Sequence, residues 1–253
     1  MSILSSDILF YHIPKAAGNS LFQRLGRDCG TVPVNFRSMD VNSFQHCLER
    51  PEHMIWTSHP CGGFECWDRL CRVRPKHRKI TMLRRPLDRY VSHYYYNAHW
   101  LEKQNVSLED TITKPVSEHF MVDNLQTKII AADAASFDYS LPATGELLER
   151  AKEKLLGSFV FFGLVEYFEV SYRLLANVLD FRPSTPPVRA NEGPVNNYMD
   201  LVPKSLKDRI EAYNIYDLEL YRFACDHFAA TLERALTGRR VGQMEHAVSL
   251  TDH

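Results

Sequence analysis

The strongest constraint on the fold of this chain lies near its amino terminus, where a short apolar segment runs into a loop of small residues. Residues 7–12 are apolar except at their ends and predict a buried strand. Residues 14–20, with the sequence PKAAGNS, are small and polar and predict a tight turn. Apolar residues at helical spacing follow from Leu21. A strand, a tight loop and a helix in this order indicate an α/β fold.

The rest of the chain continues this alternation of strand-like and helix-like segments. The predicted strands are residues 54–57, 79–83 and 158–164. The predicted helices are a segment from Pro86, residues 115–132, 147–156 and 168–179, and a segment from Ser205 toward Leu236 that is broken near Asn214. We expect Asp208 to close a capping box with Ser205. The alternation predicts a single α/β domain over residues 1–236, with a P-loop-like central parallel sheet flanked by helices, and a polar, poorly ordered tail over residues 237–253.

The composition excludes several classes of protein. The 14 Phe, 12 Tyr and 3 Trp are enough for an apolar core and argue against a disordered chain. A net charge of −1 provides no overall field that would attract nucleic acid. We find no signal sequence and no apolar run of about 18 residues, so we expect a cytoplasmic protein without a membrane segment.

Three cysteines lie close together in the sequence. Cys61, Cys66 and Cys71 are evenly spaced, and His59 and His77 flank them. A zinc site is one interpretation of this cluster. Zinc-binding sequences usually carry CxxC pairs, and this sequence has none. We therefore expect free thiols and no bound metal.

The loop after the first strand has the residue types of a phosphate-binding site. Its residues are Lys15, Ala16, Ala17, Gly18, Asn19 and Ser20. The small side chains let the backbone approach an anion, and Lys15 adds a cation. The amino terminus of the following helix presents N–H groups that favour negative charge. An ordinary loop with a surface lysine is the alternative.

This loop differs from that of a magnesium-dependent nucleoside triphosphatase. Such enzymes carry the motif GxxxxGK[ST] and an acidic residue at the tip of a neighbouring strand. Here Lys15 opens the loop, and the strand over residues 79–83 is followed by Arg84 and Arg85. Two arginines suit a second phosphate group better than a metal ion. The residues therefore indicate a nucleotide with two separate anionic ends, bound without magnesium.

Two motifs resemble those of sulfotransferases that use 3'-phosphoadenosine 5'-phosphosulfate (PAPS). Residues 12–21, HIPKAAGNSL, are similar to their 5'-phosphosulfate loop, and residues 83–92, LRRPLDRYVS, are similar to their 3'-phosphate motif. Three shorter segments also resemble the family, at residues 58–63, 124–127 and 162–166. The resemblance is strongest to sulfotransferase family 2, which includes the heparan sulfate 2-O-sulfotransferases. The chain departs from the family at Ala16 and Ala17, where Thr and Gly are common, and at Arg85, where Asp or Asn is common.

The resemblance implies a role for each part of the site, with PAPS as co-substrate and PAP as product. Lys15 would stabilise the charge that develops on the leaving phosphate. The backbone of residues 17–20 would hold the 5'-phosphate, and Arg84 and Ser92 would hold the 3'-phosphate. His59 would be the general base, since imidazole titrates near neutral pH.

Two further histidines are alternatives for the base. His12 is expected only to end its strand, and His93 is expected to face solvent. The acceptor would be a hydroxyl group, on a carbohydrate by analogy with the family. Its candidate contacts are Trp100, Asn124 and Gln126, and the two amide side chains alternatively cap the fold.

Two other functions stay open at this point. The first is a small-molecule kinase that uses ATP and magnesium. The second is a non-catalytic module that binds sulfated glycans through residues 69–89, a segment that holds nine Lys or Arg and a single acid, Asp88.

Overall fold

Five parallel strands form the centre of the protein. The computed structural model describes residues 4–36, 39–58, 64–113, 123–132, 139–184 and 198–237. In these residues the strands are β1 Asp7–Tyr11, β2 Val34–Asn35, β3 Ile55–Ser58, β4 His77–Leu83 and β5 Phe159–Leu164. They lie in the order β2-β3-β1-β4-β5, and every adjacent pair is parallel. The predicted α/β fold with a central parallel sheet is confirmed.

The pairing of β1 with both neighbours determines which loops meet. Tyr11, the last residue of β1, lies opposite Ser58 of β3 and Thr81 of β4. The chain continues from β1 to β2 and β3 on one side, whereas β4 and β5 lie on the other side of β1. Ligands of open parallel sheets bind at the carboxyl ends of the strands, where the strand order reverses in this way. The fold therefore places a binding site after β1.

Helices surround the sheet. In the described part of the chain they are α1 Gly18–Asp28, α2 Val41–Leu48, α3 Phe64–Val73, α4 Pro86–Tyr96, α5 Ala98–Lys103, α6 Leu125–Ala131, α7 Gly145–Gly157, α8 Phe168–Leu179, α9 Lys204–Tyr213 and α10 Ile215–Leu236. Within the same residues, no helix has both the length and the apolar composition that crossing a membrane requires.

Both faces of the sheet carry an apolar core. Ile8 and Phe10 of β1 belong to the larger core, together with apolar residues of α1, α6, α7, α8 and α10. Leu9, between them, belongs to a second core with apolar residues of β2, β3, α2 and α3. Successive side chains of a strand point to opposite faces. Because both faces of β1 are covered, the strand reads as a continuous apolar run.

The structure confirms most of the predicted helix boundaries and corrects one local interaction. Helix α4 begins at Pro86, and the carboxyl-terminal helical segment divides at Asn214. The predicted capping box between Ser205 and Asp208 is wrong. Helix α9 begins at Lys204 with no cap from a described side chain, and the Asp208 carboxylate accepts a hydrogen bond from the Lys204 ammonium at 2.7 Å instead. Because the Asp208 carboxylate is paired with Lys204 on the surface, it does not cap the start of the helix.

Some of the predicted segments extend beyond the described residues. Of the predicted helix over residues 115–132, the structure has α6, and residues 114–122 lie outside the described part of the chain. Residues 238–253 of the predicted tail also lie outside it.

Candidate functional site

Two cations meet at the carboxyl edge of the sheet. Lys15 lies in the loop between β1 and α1, and Arg84 directly follows β4, which is a neighbour of β1. Arg84 Nη1 donates a hydrogen bond to the backbone oxygen of Lys15, with an N···O distance of 3.0 Å. The parallel pairing of β1 with β4 thus brings together two residues that are far apart in the sequence.

The backbone of the loop after β1 is strained at two positions. Lys15 and Ala17 adopt left-handed conformations, with φ of 65° and 54°. This costs roughly 1–2 kcal/mol for a residue with a Cβ. Backbones of alternating handedness make concavities of N–H groups that bind anions. Ala17 stands where the resembling family commonly has glycine, which adopts this conformation without that cost. Strain of this kind is typical of functional loops.

The amino terminus of α1 supplies the N–H groups of the loop. The helix begins at Gly18, and no described side chain caps it. The first N–H groups of a helix have no partner within the helix and favour an anion. Asn19 is exposed and Ser20 is half-buried. Ala16 differs from the other predicted phosphate ligands, because its N–H donates to the Ile13 oxygen at 3.1 Å.

The imidazole of His12 packs directly against this loop. A Cβ added to Gly18 would lie 1.8 Å from His12 Nε2. His12 is 8% exposed, and its ring stacks on that of Phe10 with 5.5 Å between the centroids. His12 therefore follows β1, as expected, and also shapes the loop over residues 14–20, the predicted phosphate loop.

The Lys15 and Arg84 side chains place two positive charges close together where both are partly buried. The Lys15 ammonium lies 4.0 Å from the ring centroid of Tyr96, and Tyr96 is 74% exposed. Burial and, second, the charge of Arg84 lower the pKa of Lys15 below its usual value. Burial also lowers the pKa of Arg84. An anion bound between the two groups would relieve both effects.

The other predicted site residues divide into two groups. Ser92 on α4 is half-buried, and Trp100 on α5 is 38% exposed. Asn124 and Gln126 are 3% and 1% exposed. The Asn124 side chain binds backbone N–H groups at the start of α10, and the Gln126 side chain binds the backbone of Arg84. The structure thus favours the interpretation in which the two amides cap the fold over direct contact with an acceptor.

The predicted general base lies just beyond a described strand. Strand β3 ends at Ser58, at the same edge of the sheet as the end of β1. His59 and Cys61 lie outside the described residues, so the base and the interpretation of the cysteine cluster stay predictions. The expectation that His93 faces solvent is wrong, because it is 4% exposed. It lies one helical turn after the fully buried Arg89, on the packed face of α4.

Three cations of the basic segment over residues 69–89 are bound or buried within the fold. Arg74 donates to both carboxylate oxygens of Asp7, at 3.2 and 3.3 Å, and Asp7 lies at the amino-terminal end of β1, opposite the phosphate loop. Arg78 donates to the backbone oxygen of Val178, and Arg89 is fully buried. These three cations therefore do not contribute to an exposed basic surface of the kind that binds a polyanion.

Sequence reasoning did not connect two residues with the Lys15 and Arg84 site that they help to shape. Tyr96 contacts the Lys15 ammonium, and the Glu166 carboxylate accepts a hydrogen bond from the Arg85 N–H at 2.8 Å. The signals were present in the three consecutive tyrosines and in the family-like segment 162–166. Neither pattern predicts which of these side chains lies beside Lys15 or Arg85.

Comparison with known proteins points to one family. A family model described as "Sulfotransferase family" matches residues 5–224, a range that includes the Lys15 loop and Arg84. A curated relative, heparan-sulfate 6-O-sulfotransferase 2 from Gallus gallus, is 24% identical over 273 residues. The match covers 87% of this chain and 66% of the relative, so the chain spans just under two thirds of that protein's length.

A comparison of folds adds one solved structure, a sulfotransferase from Alicyclobacillus acidocaldarius. The match covers 94% of this chain and all of the solved chain, at 15% sequence identity and a TM-score of 0.48. We draw no conclusion from so weak a likeness.

Proposed function

The chain belongs to the Sulfotransferase family, and we propose that it transfers the sulfuryl group of PAPS to a hydroxyl group of a carbohydrate acceptor. The pairing of Lys15 with Arg84 at the ends of β1 and β4 carries this proposal. Two cationic elements side by side suit a nucleotide with phosphate groups at both ends. Neither strand is followed directly by an acidic residue that would hold magnesium.

The residues present fit this co-substrate. PAPS would supply the sulfuryl group and leave as PAP. Lys15 would stabilise the charge on the leaving phosphate as its bond to sulfur breaks and the acceptor oxygen bonds to sulfur. The first N–H groups of α1 would hold the 5'-phosphate, and Arg84 and Ser92 would hold the 3'-phosphate. His59 would take the proton of the acceptor hydroxyl.

A carbohydrate acceptor is supported by two observations. The name of the Gallus gallus relative specifies a polysaccharide substrate. In addition, Tyr96 and Trp100 present exposed aromatic rings on consecutive helices, α4 and α5, and Tyr96 contacts Lys15. A partly exposed aromatic ring combines an apolar face with a polar tip, which suits a sugar.

Calorimetric titration tests the two-phosphate site directly. We expect the wild-type protein to bind 3',5'-PAP much more tightly than 5'-AMP, with no need for magnesium. Arg84→Ala should weaken PAP binding by about 10- to 100-fold, because it removes hydrogen bonds from a charged donor. The same variant should lose less affinity for 5'-AMP, which lacks the 3'-phosphate; any loss there would reflect the missing bond from Arg84 to the Lys15 oxygen.

The neighbouring arginine provides a matched control. The sequence grouped Arg85 with Arg84 at the second phosphate. In the structure the Arg85 side chain is 59% exposed and pairs with Asp88 at 3.6 Å, so Arg85→Ala should bind PAP like the wild type. Equal affinity of the wild type for PAP and AMP would contradict the proposal. A preference for ATP with magnesium would point to a kinase. Salt-sensitive glycan binding that survives Lys15→Ala would point to a binding module.

Replacement of the general base should separate turnover from binding. His59→Ala should lower kcat by about 10²- to 10⁴-fold, because the acceptor proton loses its base. Its PAP affinity should stay near that of the wild type, as measured by the same titration. His227→Ala is the control, since the His227 ring on α10 bonds to the Phe223 oxygen and packs on the Phe223 ring of the same helix.

His12→Ala discriminates between the candidate bases. His12 would be the base if His12→Ala lost turnover and kept its PAP affinity, while His59→Ala kept its turnover. Loss of PAP affinity in His59→Ala would instead make His59 a binding or structural residue.

A further inference from the structure

The side chain of Gln126 holds the backbone of Arg84 on both sides. Its Oε1 accepts a hydrogen bond from the Arg84 N–H at 3.0 Å, and its Nε2 donates to the Arg84 oxygen at 2.9 Å. Gln126 is 1% exposed, so no solvent competes for these bonds. Two bonds from one amide fix the peptide groups before and after Arg84, and with them the direction of its side chain.

Gln126 is itself held by the carboxyl-terminal helix. The N–H groups of Gln126 and Thr127 donate to the carboxylate of Asp217 on α10, at 3.1 and 2.7 Å. In return, Asn124 Oδ1 accepts from the N–H groups of Tyr216 and Asp217, at 2.8 and 3.0 Å. The first turns of α6 and α10 thus cap each other, as two helix ends with unpaired N–H groups require.

A buried charge on helix α4 interacts electrostatically with Asp217 of this arrangement. Asp217 and Arg89 are both fully buried. Burial raises the pKa of Asp217, and the Arg89 charge opposes that rise. Burial lowers the pKa of Arg89, and the Asp217 charge opposes that fall. Each charge thus offsets part of the effect of burial on the other, across α10 and the helix that also carries Ser92.

A second contact from α10 reaches the same segment. Tyr221 on α10 donates a hydrogen bond to Glu166 Oε2 at 2.7 Å, and Glu166 Oε1 accepts from the Arg85 N–H at 2.8 Å. Helix α10 therefore supports two successive residues after β4, through Gln126 and through Glu166. From there, Arg84 Nη1 reaches the Lys15 oxygen at 3.0 Å.

We propose that Gln126 is a positioning residue through which α10 sets the placement of Arg84 and Lys15 for the phosphate groups of the donor. The inference rests on the proposed function for the identity of that donor. In this role the buried Gln126 acts through the Arg84 backbone, to which both ends of its amide are bonded. A displacement of about 1 Å in such a site costs up to about 100-fold in rate.

The test replaces Gln126 in two ways and compares PAP binding by titration. Gln126→Leu keeps the size of the side chain and removes both hydrogen bonds. We expect about 10- to 100-fold weaker PAP binding, because a misplaced Arg84 loses its charged hydrogen bonds to the phosphate. Gln126→Glu keeps the acceptor, and its carboxyl donates to the Arg84 oxygen only when it is protonated. Burial raises the pKa of such a carboxyl. The PAP affinity of Gln126→Glu, relative to the wild type at each pH, should therefore recover as the pH falls, and that of Gln126→Leu should not.

A second buried clamp at the same sheet provides the control. Ser171 Oγ accepts from the Leu164 N–H at 2.9 Å and donates to the Leu164 oxygen at 3.0 Å, at the end of β5. Ser171→Ala removes an equivalent pair of bonds without touching Arg84 or Lys15. It should lower the melting temperature and leave the PAP affinity unchanged.

Hydrogen exchange at the Arg84 amide separates this inference from the proposed function. In the wild type the Gln126 oxygen should protect that amide, and Gln126→Leu should abolish the protection. Wild-type PAP affinity in Gln126→Leu, or equal loss in Ser171→Ala, would overturn the positioning role. If the wild type does not prefer PAP over 5'-AMP, the proposed function fails. The positioning role is then judged by exchange alone: an Arg84 amide that exchanges in Gln126→Leu as in the wild type would overturn it.

Discussion

Lys15→Ala should lower turnover by about 10²- to 10³-fold, the loss that follows removal of one group aimed at developing charge. The Lys15 ammonium is the cation of the loop, and burial and the neighbouring Arg84 charge lower its pKa. These features suit a group that meets the leaving phosphate in the transition state. A steady-state assay with PAPS and a carbohydrate acceptor measures the effect, and titration with PAP should show a smaller loss of affinity.

Another lysine that lies over an aromatic ring is the matched control for this variant. Lys152 on α7 lies 5.9 Å from the ring centroid of Phe223 and pairs with Glu149, far from the phosphate loop in the sequence. Lys152→Ala should keep wild-type turnover. Turnover near that of the wild type in Lys15→Ala would exclude the proposed role of Lys15, and equal loss in both variants would indicate a general effect on folding.

Gly18→Ala should disrupt the phosphate loop through a single added methyl group. The new Cβ would lie 1.8 Å from His12 Nε2, so the imidazole or the loop must move. Overpacking of this kind costs about 1–3 kcal/mol in the free energy of unfolding. This loss of stability is opposite to the usual effect of Gly→Ala in a helix, where alanine is the better helix former. Chemical denaturation should show the loss of stability, and titration should show weakened PAP binding.

Two further variants isolate the steric cause. A Cβ added to Gly145, in the first turn of α7, meets no atom within 4 Å, so Gly145→Ala should be neutral or stabilising. Combining Gly18→Ala with His12→Ala removes the clashing ring and should restore much of the PAP affinity. The steric account fails if Gly18→Ala binds PAP like the wild type, or if removal of the His12 ring restores nothing.

The parts of the fold that were predicted correctly have strong local signals. Strand β1 is a continuous apolar run before a loop of small residues, and α4 begins at a proline that suits the first turn. The break at Asn214 between α9 and α10 was also predicted. In each case the residues that determine the structure are neighbours in the sequence.

The elements that sequence reasoning missed are short or depend on tertiary packing. Strand β2 has two residues and α5 has six, too few to show a period. Helices α2 and α3 cover the second face of the sheet, and their apolar residues belong to a core that exists only when the sheet has formed. The capping box failed for a related reason, since Asp208 had a competing partner in Lys204.

The sequence by itself determined the chemistry of the site: a small-residue loop with Lys15 after one strand and an arginine after another. Only the tertiary structure decided that these strands are neighbours, so that Arg84 reaches the Lys15 backbone. It also decided that Gln126, a candidate acceptor contact in the sequence, is buried against Arg84 and held from α10. Residue types and local periods are properties of adjacent residues, whereas contacts across the chain depend on strand order and helix packing, which no local pattern specifies.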